Sequence, residues 1–314
     1  MSQWNPHPLV GVVGAGALGL YYGARLQKSG LEVRFLARRD LEALTSDGLT
    51  VHSVDGDFRL PEVRAFGSSE EIGPVDLVLV GLKTFANDRL VDLVRPLVGE
   101  QTAILTLQNG LGNEELLAEA FGADRILGGV AFLCSNRGEP GVVHHLGEGR
   151  IRLGEFASGL SERARLLAEL FSTAGVPCEA VADLAKIRWE KLVWNIPFNG
   201  LCALTGRDVT ELLAHRPSAE LVREMMLEVV AAANAQALTQ PVDGGAFIDR
   251  MLQMTAAMDH YRPSMMIDRL EGRQLELESI YAIPLERARK AGQPMTRVDM
   301  LYRLLDLGEQ AISQ

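Results

Sequence analysis

Lys191, Asn195 and Asn199 stand at successive four-residue steps within the apolar stretch from Trp189 to Leu204. At helical spacing they drift by only about 80°, so they share one face. That face would present an ammonium flanked by two amides, a set that can bind a carbonyl oxygen and hand it a proton as hydride arrives. The same spacing also fits an exposed lysine beside two capping or core amides. Pro197 interrupts the stretch; it removes a backbone hydrogen bond and should bend the helix, letting the two asparagines diverge. Lys83 and Asn109 each follow a short apolar run. Open α/β sheets bind ligands beyond the carboxyl ends of their strands, which is where both residues would stand, although each is also an ordinary surface or turn residue. Ser264 and Glu276 would lie about 18 Å apart in one straight helix, too far to serve one small substrate. If both act, the chain must break between them, and Gly272 is the place for it. Ser264 would then sit in a turn and could bond a carboxylate. Glu276 could pair with the lysine or orient a substrate hydroxyl, or it could be one acid of a solvated face.

A second set of residues points to a nucleotide. Gly14-Ala15-Gly16-Ala17-Leu18-Gly19 follows a predicted strand and opens a predicted helix, the context in which a G-x-G-x-x-G pattern binds a dinucleotide. Gly14 allows the tight turn, Gly16 lets backbone approach a pyrophosphate, and Gly19 lets helix and strand pack closely. The helix start then offers unpaired N–H groups to phosphate. The next strand ends in Arg38 and Arg39, where NAD-binding chains often carry an acid for the ribose hydroxyls. A guanidinium there suits the additional phosphate of NADP, with Arg38 as first contact, unless the pair is only a solvated basic loop. Asp40 lies beyond the strand.

The elements that must carry these residues change texture along the 314-residue chain. In the first half, apolar runs at Leu9–Gly14, Glu32–Ala37, Asp76–Val80, Ala103–Leu107 and Arg125–Ala131 alternate with helical stretches. That pattern predicts βαβ units and a parallel sheet covered on both faces. The Gly-rich stretch around Pro140–Glu155 reads as a hairpin, followed by a helix at Ser161–Thr173 and a strand near Cys178–Ala182. From Asp183 onward the pattern is helical, with amphipathic runs at Ser218–Leu238, Phe247–His260, Arg273–Ala291 and Thr296–Ser313. The expected architecture is α/β: an N-terminal Rossmann-type domain over 1–182 and an all-helical domain over 183–314. The net charge of −10 gives no support to binding nucleic acid or an anionic membrane. Cys134, Cys178 and Cys202 are scattered and odd in number, which predicts reduced thiols of a cytoplasmic protein rather than a disulfide framework or metal site. No signal peptide or membrane-spanning run is expected, and no metal.

The ordered set Gly14–Gly19, Gly81-Leu82-Lys83-Thr84, Gln108-Asn109-Gly110, Pro140-Gly141-Val142-Val143-His144-His145, Trp189-Glu190-Lys191-Leu192 and Ser264-Met265-Met266-Ile267-Asp268 resembles the ketopantoate reductase family. The likeness runs from about residue 8 to 310. It implies a Rossmann domain, a helical domain and NADPH-dependent reduction of 2-dehydropantoate to (R)-pantoate on the way to pantothenate and coenzyme A. By resemblance, Lys191 is the general acid and Glu276 its carboxylate partner. Asn109, Asn195, Asn199 and Ser264 would hold substrate, with Asp268 nearby. Lys83, Arg38 and Asn109 would meet cofactor along with the glycine turn. The chain departs from the family where members read Asn-Pro-Leu-Thr and it reads Asn199-Gly200-Leu201-Cys202; Trp194, Pro197 and Phe198 could reshape the acyl pocket. Two other readings stay open: a paralogue acting on another branched or aromatic 2-oxo acid, and an NADP(H)-sensing protein without catalysis. Apolar faces of the helical domain could pair into a homodimer.

Overall fold

In the computed structural model, which describes residues 5–157 and 159–310, the chain divides into two units. One comprises Met1–Gln108 with Asn113–Leu184, the other Asn109–Gly112 with Ala185–Gln314. The four-residue segment that leaves the first unit for the second carries Asn109.

The first unit is built on a sheet of strands β1 (Val10–Val13), β2 (Val33–Leu36), β3 (Leu49–Ser53), β4 (Phe58–Leu60), β5 (Arg64–Phe66), β6 (Val75–Val80), β7 (Val98–Thr106), β8 (Ile126–Arg137), β9 (Val142–Glu155) and β10 (Cys178–Ala180). Their order is β5-β2-β1-β6-β7-β8-β9-β3-β4, with β10 beside β9. The run from β5 to β8 is parallel throughout. Its strands are apolar on both sides for a reason visible in the cores. Leu77, Leu79, Ala103 and Leu105 pack into one cluster, while their neighbours Val78, Val80 and Ile104 pack into another. Alternate side chains of a strand point to opposite faces, so a sheet covered on both faces needs apolar residues at every position.

Two features of this unit differ from the sequence reading. Strands β3, β4 and β5 were not expected; they are short, half-exposed and rich in polar residues, so they lack the apolar run that marked the others. The Gly-rich stretch is not a hairpin within itself. It is one long strand, β9, antiparallel to β8, with bulges that leave Gly149 and Leu146 unmatched. Gly147, Glu148 and Gly149 have positive φ at the bulge. The glycines that looked like turn residues supply backbone freedom for the bulge instead.

The second unit is helical, around one core to which Leu111 also belongs. The helix Leu184–Thr205 runs through Pro197 as one element and buries Trp189, Leu192, Val193 and Ile196. The run expected over Arg273–Ala291 starts later. Arg273–Glu276 is not helical, and a π-helical turn, Glu278–Ala282, leads into the helix Ile283–Lys290. The break falls at Gly272, whose φ is 66°. Gly272 N–H donates to the Arg269 carbonyl and Arg273 N–H to the Asp268 carbonyl, the paired bonds that close a helix on a left-handed glycine. Among the described residues no helix is long and apolar enough to cross a membrane.

Candidate active site

The glycine turn joins β1 to the helix Ala17–Lys28. At Gly14, φ is 107° and a Cβ would lie 2.6 Å from the Leu82 nitrogen, so only glycine fits. At Gly19 a Cβ would lie 2.0 Å from the Gly14 carbonyl oxygen; helix and turn touch there. Gly16 is different, for its Cβ position meets nothing nearer than the Gly81 carbonyl oxygen at 4.0 Å. The space over Gly16 is therefore open, and Gly16 caps the helix without a side-chain bond. Ala15, Gly16, Ala17 and Leu18 are half-exposed, which leaves the helix start reachable by an anionic group.

At the end of β2 the two arginines separate in role. Arg39 donates to the Gly138 carbonyl at 2.6 Å, whereas Arg38 is exposed. Asp40 is buried and its carboxylate is taken up by Arg137 and by the Gly141 amide, so it is not available to a ribose. Lys83, half-exposed, precedes the turn Thr84–Arg89 after β6. Beyond β7 lies an amide chain that sequence reading missed. Thr106 Oγ1 donates to Gln108 Oε1, Gln108 Nε2 to Asn87 Oδ1, and Asn87 Nδ2 to Asn113 Oδ1. Nothing in the spacing of these residues announces the chain, because Asn87 comes from a different loop.

In the second unit Lys191 Nζ donates to Asn109 Oδ1 at 2.9 Å. Asn109 Nδ2 in turn reaches Glu276 Oε2 at 3.4 Å, a long contact. Glu276 is 2% exposed, while Lys191 and Asn109 are half-buried. Asn109 thus bridges Lys191, 82 positions along the chain, and Glu276, 167 positions along it. Each is placed by backbone with a reason to be there. Gly110 has φ 80° and its Cβ would lie 2.3 Å from the Ser279 carbonyl oxygen, and Leu111 N–H donates to that same oxygen at 2.9 Å. The Asn109–Gly112 segment is therefore pinned to the π-helical turn just after Glu276.

One and two turns beyond Lys191, Asn195 and Asn199 are buried. Asn199 Oδ1 accepts the Met265 N–H at 3.2 Å. Ser264 is half-exposed and opens the helix Ser264–Leu270 rather than standing in a turn, since Pro263 before it takes the cap position. Asp268 is buried and bonded to Arg273 Nε at 2.9 Å. Its carboxylate holds the Gly272 break together. Trp194 is anchored by its indole N–H on Thr255 Oγ1 at 2.9 Å and stacks near Phe198 and Tyr261. No group of three or more His, Cys, Asp or Glu among the described residues could hold a metal ion. Among the described residues the cysteines form no disulfide, and burial pushes the thiols of Cys178 and Cys202 up to about 12.

Comparison with known proteins covers nearly the whole chain. The family model described as "Ketopantoate reductase PanE/ApbA" matches residues 10–158, and its C-terminal counterpart matches 183–309. A 2-dehydropantoate 2-reductase of Nostoc sp. is 43% identical over 299 residues, 94% of this chain and 93% of that protein. The crystal structure of a 2-dehydropantoate 2-reductase from Geobacter metallireducens GS-15 is 59% identical with a TM-score of 0.94, covering 96% of this chain and 99% of its own. D-mandelate dehydrogenase, solved with NADH and anilino(oxo)acetate, is 21% identical with a TM-score of 0.89, over 97% of this chain and 99% of its own, and shares the fold.

Proposed function

We propose, for a chain that belongs to the ketopantoate reductase family, that it reduces 2-dehydropantoate to (R)-pantoate with NADPH and supplies the proton from Lys191. The observation that carries this reading is the Lys191–Asn109 hydrogen bond of 2.9 Å with Glu276 at its far side. A sensing protein would have no need of an ammonium aimed in this way.

The residues fit a dinucleotide. Space stands open over Gly16 while Gly14 and Gly19 are closed to any side chain, so backbone N–H groups can approach a pyrophosphate. Arg38 is exposed at the end of β2, and Asp40 is buried against Arg137 rather than open to the ribose hydroxyls of NAD. Arg38 would bond the 2′-phosphate, and Lys83 and Asn109 would contact other parts of the cofactor. When bound, the reduced nicotinamide supplies hydride to the carbonyl carbon. Asn109 Oδ1 fixes the direction of the Lys191 ammonium, and Lys191 gives one proton to the carbonyl oxygen as the C–O π bond breaks. Water then restores the ammonium. Asn195 and the Nδ2 of Asn199 hold the polar ends of the substrate, and the Ser264 hydroxyl bonds its carboxylate. Glu276 orients the lysine through Asn109 or takes a substrate hydroxyl. Asp268, committed to Arg273, acts on substrate only through the helix it stabilises.

A second reading keeps the reaction and changes the acyl group. Trp194, half-exposed beside Phe198 and Tyr261, could face an aromatic side chain. Optical NADPH oxidation with 2-dehydropantoate and a panel of other 2-oxo acids separates the two. A kcat/KM highest for 2-dehydropantoate supports the first; dominance of an aromatic 2-oxo acid supports the second; no turnover with any of them would leave only the sensor. A homodimer belongs to the same proposal. Met300, Leu304 and Leu307 are exposed at four- and three-residue steps on the helix Thr296–Gln310, a face that a second copy of the chain would cover; sedimentation tests it.

A further inference from the structure

We infer that Tyr281 is a positioning residue that holds Asn195 and Asn199 on their substrate, through one hydrogen bond to the backbone between them. The inference rests on the substrate-binding role proposed for these asparagines. Tyr281 is fully buried and its hydroxyl donates to the Ile196 carbonyl oxygen at 2.8 Å. Ile196 follows Asn195 directly and stands three residues before Asn199. It is also the residue before Pro197, in the part of the helix where the proline leaves the Val193 carbonyl without its usual N–H donor. The helix is therefore least constrained by its own bonds just where both asparagines need fixed directions, and a donor from outside the helix meets it there.

Two glycines make the arrangement possible. A Cβ on Gly200 would lie 2.4 Å from the Tyr281 hydroxyl, so any side chain there would displace it. Gly110 performs the same service for Ser279 on the same π-helical turn, as described above. One turn of five residues, Glu278–Ala282, thus ties three segments together. It follows Glu276 in sequence, its Ser279 carbonyl receives the Leu111 N–H two residues after Asn109, and its Tyr281 reaches Ile196. A π-turn widens the helix and is found mostly at functional sites; here the extra residue per turn lets neighbouring backbone and side-chain groups serve two different segments. Burial raises the Tyr281 hydroxyl well above its ordinary range, so it stays a donor throughout the working pH range.

The test is Tyr281→Phe, which keeps the ring and removes the donor, with Gly200→Ala as a second route to the same displacement. Small misplacements of a binding group cost one to two powers of ten, so KM for 2-dehydropantoate should rise about 10-fold in both variants while KM for NADPH stays as in the wild type. Kinetic constants equal to wild type, whatever happens to Tm, would show the bond to be structural only and overturn the inference. If the wild-type chain itself does not turn over 2-dehydropantoate, the proposed substrate fails, and crystal structures of wild type and Tyr281→Phe decide the positioning role separately. Displacement of the Asn195 or Asn199 amide by about 0.5 Å or more, the tolerance of a binding constellation, supports it; superposition overturns it.

Discussion

As the proposed proton donor, Lys191 would need its proton to point at one place, and its bond to Asn109 Oδ1 at 2.9 Å holds the ammonium in one direction. Replacing Lys191 by Ala should lower kcat by about 10²-fold or more; steady-state NADPH oxidation checks it, and a near-wild-type kcat would move the proton donor elsewhere. Arg38→Ala should raise KM for NADPH far more than KM for NADH, because only NADPH carries the additional 2′-phosphate for the guanidinium. Equal effects would take the phosphate away from Arg38. At this scale much was legible. Lys191, Asn195 and Asn199 share a face because of their spacing alone, and the glycine turn follows from residue type. The partners were not legible. That Asn199 spends its Oδ1 on Met265, that Asp268 is held by Arg273 and that Gly200 makes room for Tyr281 depend on segments far away in sequence, which no local spacing encodes.

One helix of the second unit is held at its start by a side-chain cap that the sequence reading did not single out. Asp208 caps the helix Val209–Ala214 in a reciprocal box with Glu211 and also bonds the His260 ring at 2.7 Å. Burial alone would raise the Asp208 carboxyl, but the Glu211 amide and His260 outweigh it and hold it below the usual range. A carboxyl with a lowered folded pKa stabilises fully above its unfolded value and loses that contribution as pH falls through the folded one. Asp208→Ala should therefore cost about 1 kcal/mol, as cap removals do. The gap in Tm between variant and wild type should be largest near neutrality and shrink as pH falls below about 4; a gap independent of pH would mean the cap acts through shape rather than charge. Boundaries were legible only in part. The glycines of β9 looked like turns because glycine marks a bulge and a turn by the same backbone freedom, and only pairing with β8 decides which. The helix expected from Arg273 starts after Glu276 because the Gly272 closure takes the Arg273 N–H and the Glu309 carboxylate takes the Leu275 N–H.

For the molecule as a whole, the most informative observation is that Asn109–Gly112 belongs with the helical unit although the chain on either side belongs with the sheet. A ligand that binds only the folded state adds stability in proportion to the logarithm of its concentration over Kd, about 2.7 kcal/mol at a hundredfold excess. NADP+ should thus raise Tm more than NAD+ at equal concentration if Arg38 reads the phosphate; scanning calorimetry with both nucleotides measures it, and equal shifts would contradict the preference. What the sequence by itself determined is the class of the fold, the nucleotide turn and the helix face carrying Lys191, because apolar periodicity, glycine geometry and four-residue spacing are local properties. Only the tertiary structure decided that Asn109 bridges that lysine and Glu276, that β8 pairs with β9, and that a π-helical turn gathers the segments. Those facts rest on contacts between residues scores of positions apart, where the physical cause is packing and hydrogen-bond satisfaction in three dimensions rather than any preference of the chain nearby.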